Sequence, residues 1–266
     1  MASRTAQRRY LAEDAQATRV AIQAAERRAA AWRRRRNAAL AAAAGAVLVI
    51  AVAIGESSGS SRATAANGTA VANAALSRNL FEGIPQHGTL LGNPDAPVHV
   101  IEYADLQCPY CGEYATQALP QLITRYVRTG EVSMAFRNLS FIGPDSVRAG
   151  RVAAAAAQQN KLWNFVDLEY LNQGVENTGY VTQPYLHRLL AAIPGLDVAA
   201  AERASQTRAA AVALAAATAS AVANGVDSTP SFLIGSGHGP LRLYEPSSLA
   251  AAPFTAEFNS LLARSR

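Results

Sequence analysis

Two cysteines, the only ones in the chain, stand two residues apart as Cys108-Pro109-Tyr110-Cys111. They lie where a strand-like run passes into a helical pattern, and that junction limits the folds open to the chain. The run Val98–Tyr103 is apolar, β-branched and preceded by the turn cluster Gly92-Asn93-Pro94-Asp95-Ala96-Pro97, which suits a buried strand. Pro109 suits the first position of a helix, where a missing N–H costs nothing. Leu119, Leu122, Ile123, Tyr126 and Val127 then recur at helical spacing as far as Gly130. Pro120 is expected to kink this helix. The cysteines therefore face the start of a helix, one turn apart and within disulfide reach of each other.

The elements that follow fill out an α/β arrangement. Val132, Met134 and Phe136 alternate with Ser133, Ala135 and Arg137, the pattern of a half-buried strand. From about Asp145 to Asn224 the pattern is helical throughout, broken at Gly174, Gly179 and Pro194-Gly195, and reads as three or four alanine-rich helices. Ser231–Ile234 and Leu241–Tyr244 predict two strands joined by the turn Gly235–Gly239. A final helix carries Phe254, Phe258, Leu261 and Leu262 on one face. The expected fold is an α/β sheet with a helical insertion at about 145–224.

The charge is uneven. The net charge is +5, yet Arg4, Arg8, Arg9, Arg19, Arg27, Arg28 and Arg33–Arg36 all fall in the first 36 residues. A basic tail can indicate nucleic acid, but here an uncharged run from Ala38 to Ile54 follows it. Counted from Asn37, that run spans roughly 26 Å as a helix. Snorkelling arginines make up the difference from the ~30 Å hydrocarbon core. Residues 1–36 are expected to be a basic cytoplasmic tail, 37–54 a single transmembrane signal anchor, and 55–85 a flexible linker rich in Ser, Gly, Ala and Asn. The folded domain at 86–266 would then lie outside the cytoplasm. A cleaved leader, with small-residue sites such as Ala63-Thr64-Ala65, is the weaker alternative because 36 residues is a long lead-in. A buried alanine-rich core helix is weaker still.

Three chemistries are open to a C-x-x-C pair. Zinc requires further ligands, but there is no second cysteine pair, and His87, His99, His187 and His238 are scattered; no metal and no cofactor is expected. A structural disulfide closing so short a loop would restrict little unfolded-chain entropy. Redox chemistry fits best. Cys108 at the helix start faces unpaired N–H groups and the positive end of the dipole, which favours a thiolate, and Cys111 should be less exposed. Were the Cys108 pKa to fall from about 8.5 to about 5, the reduced form would gain about 2.7 kcal/mol at pH 7. That would make the couple roughly 60 mV more oxidising.

The strand Val98–Tyr103, the C-x-x-C opening a helix, and the distant Thr229-Pro230 before a strand together resemble the thioredoxin superfamily. The helical insertion and the lead-in Gly92–Pro97 resemble its DsbA-like branch, in the membrane-anchored bacterial form. The resemblance covers roughly residues 86–265. It implies that Pro230 is the family's cis-proline, packed opposite the cysteines and presenting the Thr229 backbone to an extended substrate. It also implies that Glu102, six residues before Cys108, is the family's buried carboxylate. Glu102 shares a strand face with Val98 and Val100, so it should be desolvated with a raised pKa, and it would relay the Cys111 proton. Thr229, Pro109 and Tyr110 are the expected substrate contacts. Strong oxidases of the branch carry histidine next to the second cysteine. Tyr110 stands there instead, so one source of thiolate stabilisation is absent.

On this reading the domain oxidises the dithiols of exported proteins, and a quinone-linked membrane partner reoxidises it, as the resemblance implies. A reductase or isomerase using the same cysteines is the alternative. A non-catalytic anchored module that binds extended peptides beside Pro230 is the rival of another class, and no nucleic-acid partner is expected.

Overall fold

The computed structural model describes residues 71–237 and 239–264. The expected tail and signal anchor, and the linker up to residue 70, lie outside the described residues. Among the described residues no helix is long and apolar enough to cross a membrane.

The chain opens with α1 (Ala74–Phe81), then two short strands, β1 (Gln86–His87) and β2 (Leu90–Leu91), and the long β3 (Val98–Ala104). Next come α2 (Pro109–Gln117), α3 (Leu119–Leu122), a π-helical turn at Ile123–Val127 and β4 (Val132–Asn138). Five helices form the insertion: α4 (Pro144–Gln158), α5 (Leu162–Leu171), α6 (Gln183–Ala191), α7 (Val198–Ser205) and α8 (Arg208–Ala223). The chain then returns through β5 (Ser231–Ser236), β6 (Arg242–Tyr244) and α9 (Ala251–Arg264). The result is an α/β thioredoxin fold with a helical insertion.

The six strands lie in the order β1-β2-β4-β3-β5-β6. The β3–β4 pair is parallel and all the others are antiparallel. β3 is central, which explains its nearly continuous apolar run. In this register Glu102 stands between Phe136 of β4 and Phe232 of β5. The aromatic rings of Tyr114, Phe232 and Phe254 meet at centroid distances of 4.8 to 5.1 Å, joining α2 and α9 to the sheet. Phe254, Phe258, Leu261 and Leu262 of α9 are all buried, each contributing about 1.5–3 kcal/mol by burial.

Three elements differ from the sequence-based expectation. Residues 74–81, read as part of a linker, form α1, whose Ser77 and Phe81 are buried. Tertiary contacts hold it, including Arg128, which donates to the carbonyls of Leu80 (2.8 Å) and Glu82 (2.7 Å). The β1–β2 hairpin was missed because two-residue strands leave no alternation to read. The insertion holds five helices rather than three or four, because the breaks at Gln159-Asn160-Lys161, between α4 and α5, and at Gln206-Thr207, between α7 and α8, contain neither glycine nor proline. Around Pro120 the expected kink takes the form of a break at Ala118 and a π turn, in which the Arg128 N–H reaches the Ile123 carbonyl at 2.9 Å. Proline's missing donor and ring bulk account for the break.

Candidate active site

The site is built on the turn that joins β3 to α2. Asp105, fully buried, organises it. One carboxylate oxygen accepts from the Gln107 N–H (2.9 Å) and the Ser146 hydroxyl (2.6 Å); the other accepts from the N–H groups of Phe141 and Ile142, both at 3.0 Å. Burial pushes the Asp105 carboxyl upward, and these bonds oppose the rise without cancelling it.

The insertion grips the same turn from the other side. Tyr170 of α5 donates to the Asp105 carbonyl (3.1 Å). Gln173, just past α5, donates to the carbonyls of Leu106 (3.0 Å) and Cys108 (3.2 Å). The Gln107 side chain donates to Ser146 (2.8 Å) and accepts from the Asn177 N–H (2.8 Å). A Cβ at position 112 would come within 2.7 Å of Gln173 Oε1, so Gly112 leaves room for this clamp. Asp105, Gln107, Ser146, Tyr170, Gln173 and Asn177 were not anticipated, because ordinary polar residues carry no sequence signal until the fold brings them together.

Cys108 caps α2 in an extended conformation (φ −69°, ψ 120°), and Pro109 takes the first helical position. Both cysteines are thiols in this structure. Cys108 is 5% exposed and Cys111 is closed to solvent, the order of exposure expected from the helix start. The Cys108 pKa is lowered from 9.0 to about 7. The Cys111 thiol donating to the Cys108 sulfur is the main cause; burial opposes it, and the Thr229 hydroxyl and the N–H groups of Cys111 and Tyr110 assist. Burial, with the Cys108 sulfur beside it, pushes Cys111 well above its ordinary value. The pair is thus asymmetric: one sulfur ionises near neutrality and the other holds its proton.

Thr229 and Pro230 lie across from the pair. The Thr229–Pro230 bond is cis, and the Cys108 thiol is 3.5 Å from the Thr229 carbonyl. Asp227, Pro230, Leu243, Tyr244 and Glu245 line an adjoining groove of about 340 Å³. Tyr110 is 54% exposed at the mouth of the site, with Pro109 beside it. Glu102 on β3 is 1% exposed, with its pKa raised by burial to about 8, and its charge and those of both cysteines act on the same Tyr170 hydroxyl. The structure therefore brings Cys108, Cys111, Pro109, Tyr110, Thr229 and Pro230 to one place, with Glu102 buried on the strand that leads into it. Among the described residues no group of three or more His, Cys, Asp and Glu side chains is arranged to hold a metal ion.

A dithiol opening a helix at the carboxyl end of a central strand, facing a cis-proline, places the chain among thioredoxin-fold dithiol proteins. Residues 86–239 match the family model described as Thioredoxin, and the chain belongs to that family. It is 35% identical over 111 residues to the probable disulfide bond formation protein D of Bacillus cereus, a match covering 41% of this chain and 51% of that one. The chain spans about half the length of the curated relatives it matches. Among solved structures, oxidised BdbD from Bacillus subtilis superposes with a TM-score of 0.59 at 19% identity, covering 68% of this chain and 97% of that one. Wolbachia pipientis α-DsbA1 does so with a TM-score of 0.57 at 19% identity, covering 69% and 93%. The fold is DsbA-like.

Proposed function

We propose that this chain is an extracytoplasmic thiol–disulfide oxidoreductase that introduces disulfides into exported proteins through a Cys108–Cys111 disulfide. The asymmetry of the two sulfurs carries this reading. A substrate thiolate attacks Cys108 Sγ and the Cys108–Cys111 bond breaks, forming a mixed disulfide and releasing Cys111 as a thiolate. Glu102, protonated at neutral pH, supplies the proton that Cys111 takes up. A second substrate thiolate attacks the substrate sulfur of the mixed disulfide, and Cys108 leaves as a thiolate. The substrate dithiol is oxidised to a disulfide while the protein's disulfide is reduced to a dithiol. Thr229 and Pro230 align the substrate strand, with Tyr110 and Pro109 in contact with it. A quinone-linked membrane partner restores the disulfide, and the apolar run at 37–54 tethers the domain outside the cytoplasm. The Bacillus relatives are named for disulfide bond formation, which favours the oxidative direction.

The Cys108 pKa favours a second reading. At about 7 it is less depressed than the value of about 5 considered from the sequence. At pH 7 the reduced form then gains only about 0.4 kcal/mol, or about 9 mV. Thiolate stabilisation by itself does not make this pair a strong oxidant, and a reductase with the same cysteines accommodates the lower figure.

Equilibration with glutathione decides the direction. The oxidase is expected to have a potential well above the roughly −270 mV of thioredoxin; a value near that figure defeats it. The exchange itself is tested with Cys111→Ser, which should accumulate mixed disulfides with exported proteins, and with Cys108→Ser, which should accumulate none. Full cellular function in a chain lacking both cysteines would instead establish the non-catalytic peptide-binding module.

A further inference from the structure

Two buried polar atoms beside the dithiol find no hydrogen-bond partner among the described protein groups: Glu102 Oε2 and the Tyr114 hydroxyl. Three elements bring them together. Glu102 of β3 stands opposite Phe232 of β5, and the Tyr114 ring lies against Phe232 at 4.8 Å between centroids. Tyr114 is three residues beyond Cys111 on α2, hence on the same helix face, and both are closed to solvent. The other buried tyrosines nearby have partners: Tyr103 at Ser220, Tyr126 at Asn259 and Tyr170 at the Asp105 carbonyl. An unsatisfied buried hydroxyl costs about 1–3 kcal/mol. A phenylalanine would fill the same space without that cost, so the hydroxyl calls for a partner.

We infer that Tyr114 is a positioning residue for the Glu102 relay, its hydroxyl donating through one bridging water to the Glu102 carboxylate. This rests on the proposed role of Glu102. A buried water needs two to four polar partners; Glu102 Oε2 and the Tyr114 hydroxyl supply two. Tyr114 of α2 and Tyr170 of α5 are the titratable groups that feel the Glu102 charge; Cys111 stands one turn before Tyr114 on α2, and Asp105 lies three residues beyond Glu102. Phe136, Phe232 and Phe254 close the remaining sides. No cation among the described residues pairs with Glu102. When the Cys108–Cys111 bond breaks, Cys111 leaves with the electron pair and takes the Glu102 proton. Glu102 becomes a carboxylate, Tyr114 stabilises that charge, and solvent later restores the proton. In the reverse direction the carboxylate removes the Cys111 proton, and Cys111 attacks Cys108 Sγ to expel the substrate thiolate.

Tyr114→Phe removes one oxygen and leaves the ring. Loss of the donor destabilises the carboxylate, so the Glu102 pKa rises. The full chain, reduced and labelled with 13C-glutamate, is titrated by NMR, with Glu102→Gln identifying the resonance. Tyr114→Phe is expected to raise the Glu102 midpoint by about one pH unit. It should also slow Cys111-dependent resolution of a mixed disulfide several-fold near neutral pH while sparing it above the shifted midpoint. An unmoved or lowered midpoint overturns the inference. Should Tyr114→Phe not fold, site-specific 3-fluorotyrosine at position 114, a stronger donor of nearly the same shape, must lower the midpoint; no change overturns the inference equally. On a Glu102→Gln background Tyr114→Phe should not alter the pH–rate profile, and any alteration counts against it. If Glu102→Gln alone leaves that profile intact, the relay itself is wrong, whereas the carboxyl resonance still reports the Tyr114–Glu102 bond independently of catalysis.

Discussion

Cys108 ionises near neutrality because several donors converge on one sulfur. The Cys111 thiol contributes most, and the Thr229 hydroxyl and two α2 N–H groups add to it. Alkylation of the reduced chain with iodoacetamide should therefore show Cys108 reacting with a midpoint near pH 7 and Cys111 inert over the same range. A midpoint near 9 would show that the convergence has no effect in solution. Thr229→Val removes one donor and is expected to move the Cys108 midpoint upward by a few tenths of a pH unit, detectable in the same titration. These residues were legible in the sequence to very different degrees. The cysteines declared themselves by spacing, Pro230 and Glu102 through the family resemblance. Tyr114 gave no signal, since its hydroxyl acquires meaning only once β5 has placed Phe232 beneath its ring.

The turn between β3 and α2 depends on an insertion that is distant in sequence, through Tyr170, Gln173 and Asn177. Gln173→Ala leaves the carbonyls of Leu106 and Cys108 without their donor and should cost about 1–2 kcal/mol in denaturant unfolding. Asp105→Ala removes an acceptor that serves four donors and should cost about 3 kcal/mol, charge-assisted bonds being the stronger kind. If either substitution were neutral, the insertion would not be holding the turn. The strands β3 and β5 were readable as short apolar runs, β4 by its period of 2 and the helix α9 by its single apolar face. α1, the β1–β2 hairpin and the join between α7 and α8 were not, because each is set by contacts made elsewhere in the fold.

Across the whole domain, four buried carboxyls are raised above their ordinary values: Glu102 to about 8, Glu169 to about 7, Asp167 to about 6, and Asp105 upward, burial leading in each case. Each binds its proton more tightly folded than unfolded. Their contribution to stability is therefore complete below about pH 4 and is lost as pH rises through the folded values. Unfolding free energy should fall between about pH 5 and pH 8, the reverse of the usual acid lability. Glu169→Gln, which retains an acceptor for the Tyr180 hydroxyl (3.1 Å), should restore on the order of 2 kcal/mol at pH 8; a flat pH dependence in the parent chain would refute the assignment. The clamp on the cysteine turn also bears on biogenesis. Synthesis runs from the amino end, so both thiols leave the ribosome before Tyr170, Gln173 and Thr229 exist to shape their surroundings. An unfinished chain thus carries two sulfurs of ordinary acidity, and the lowered pKa of Cys108 matures only once Thr229 and the elements around it have been made.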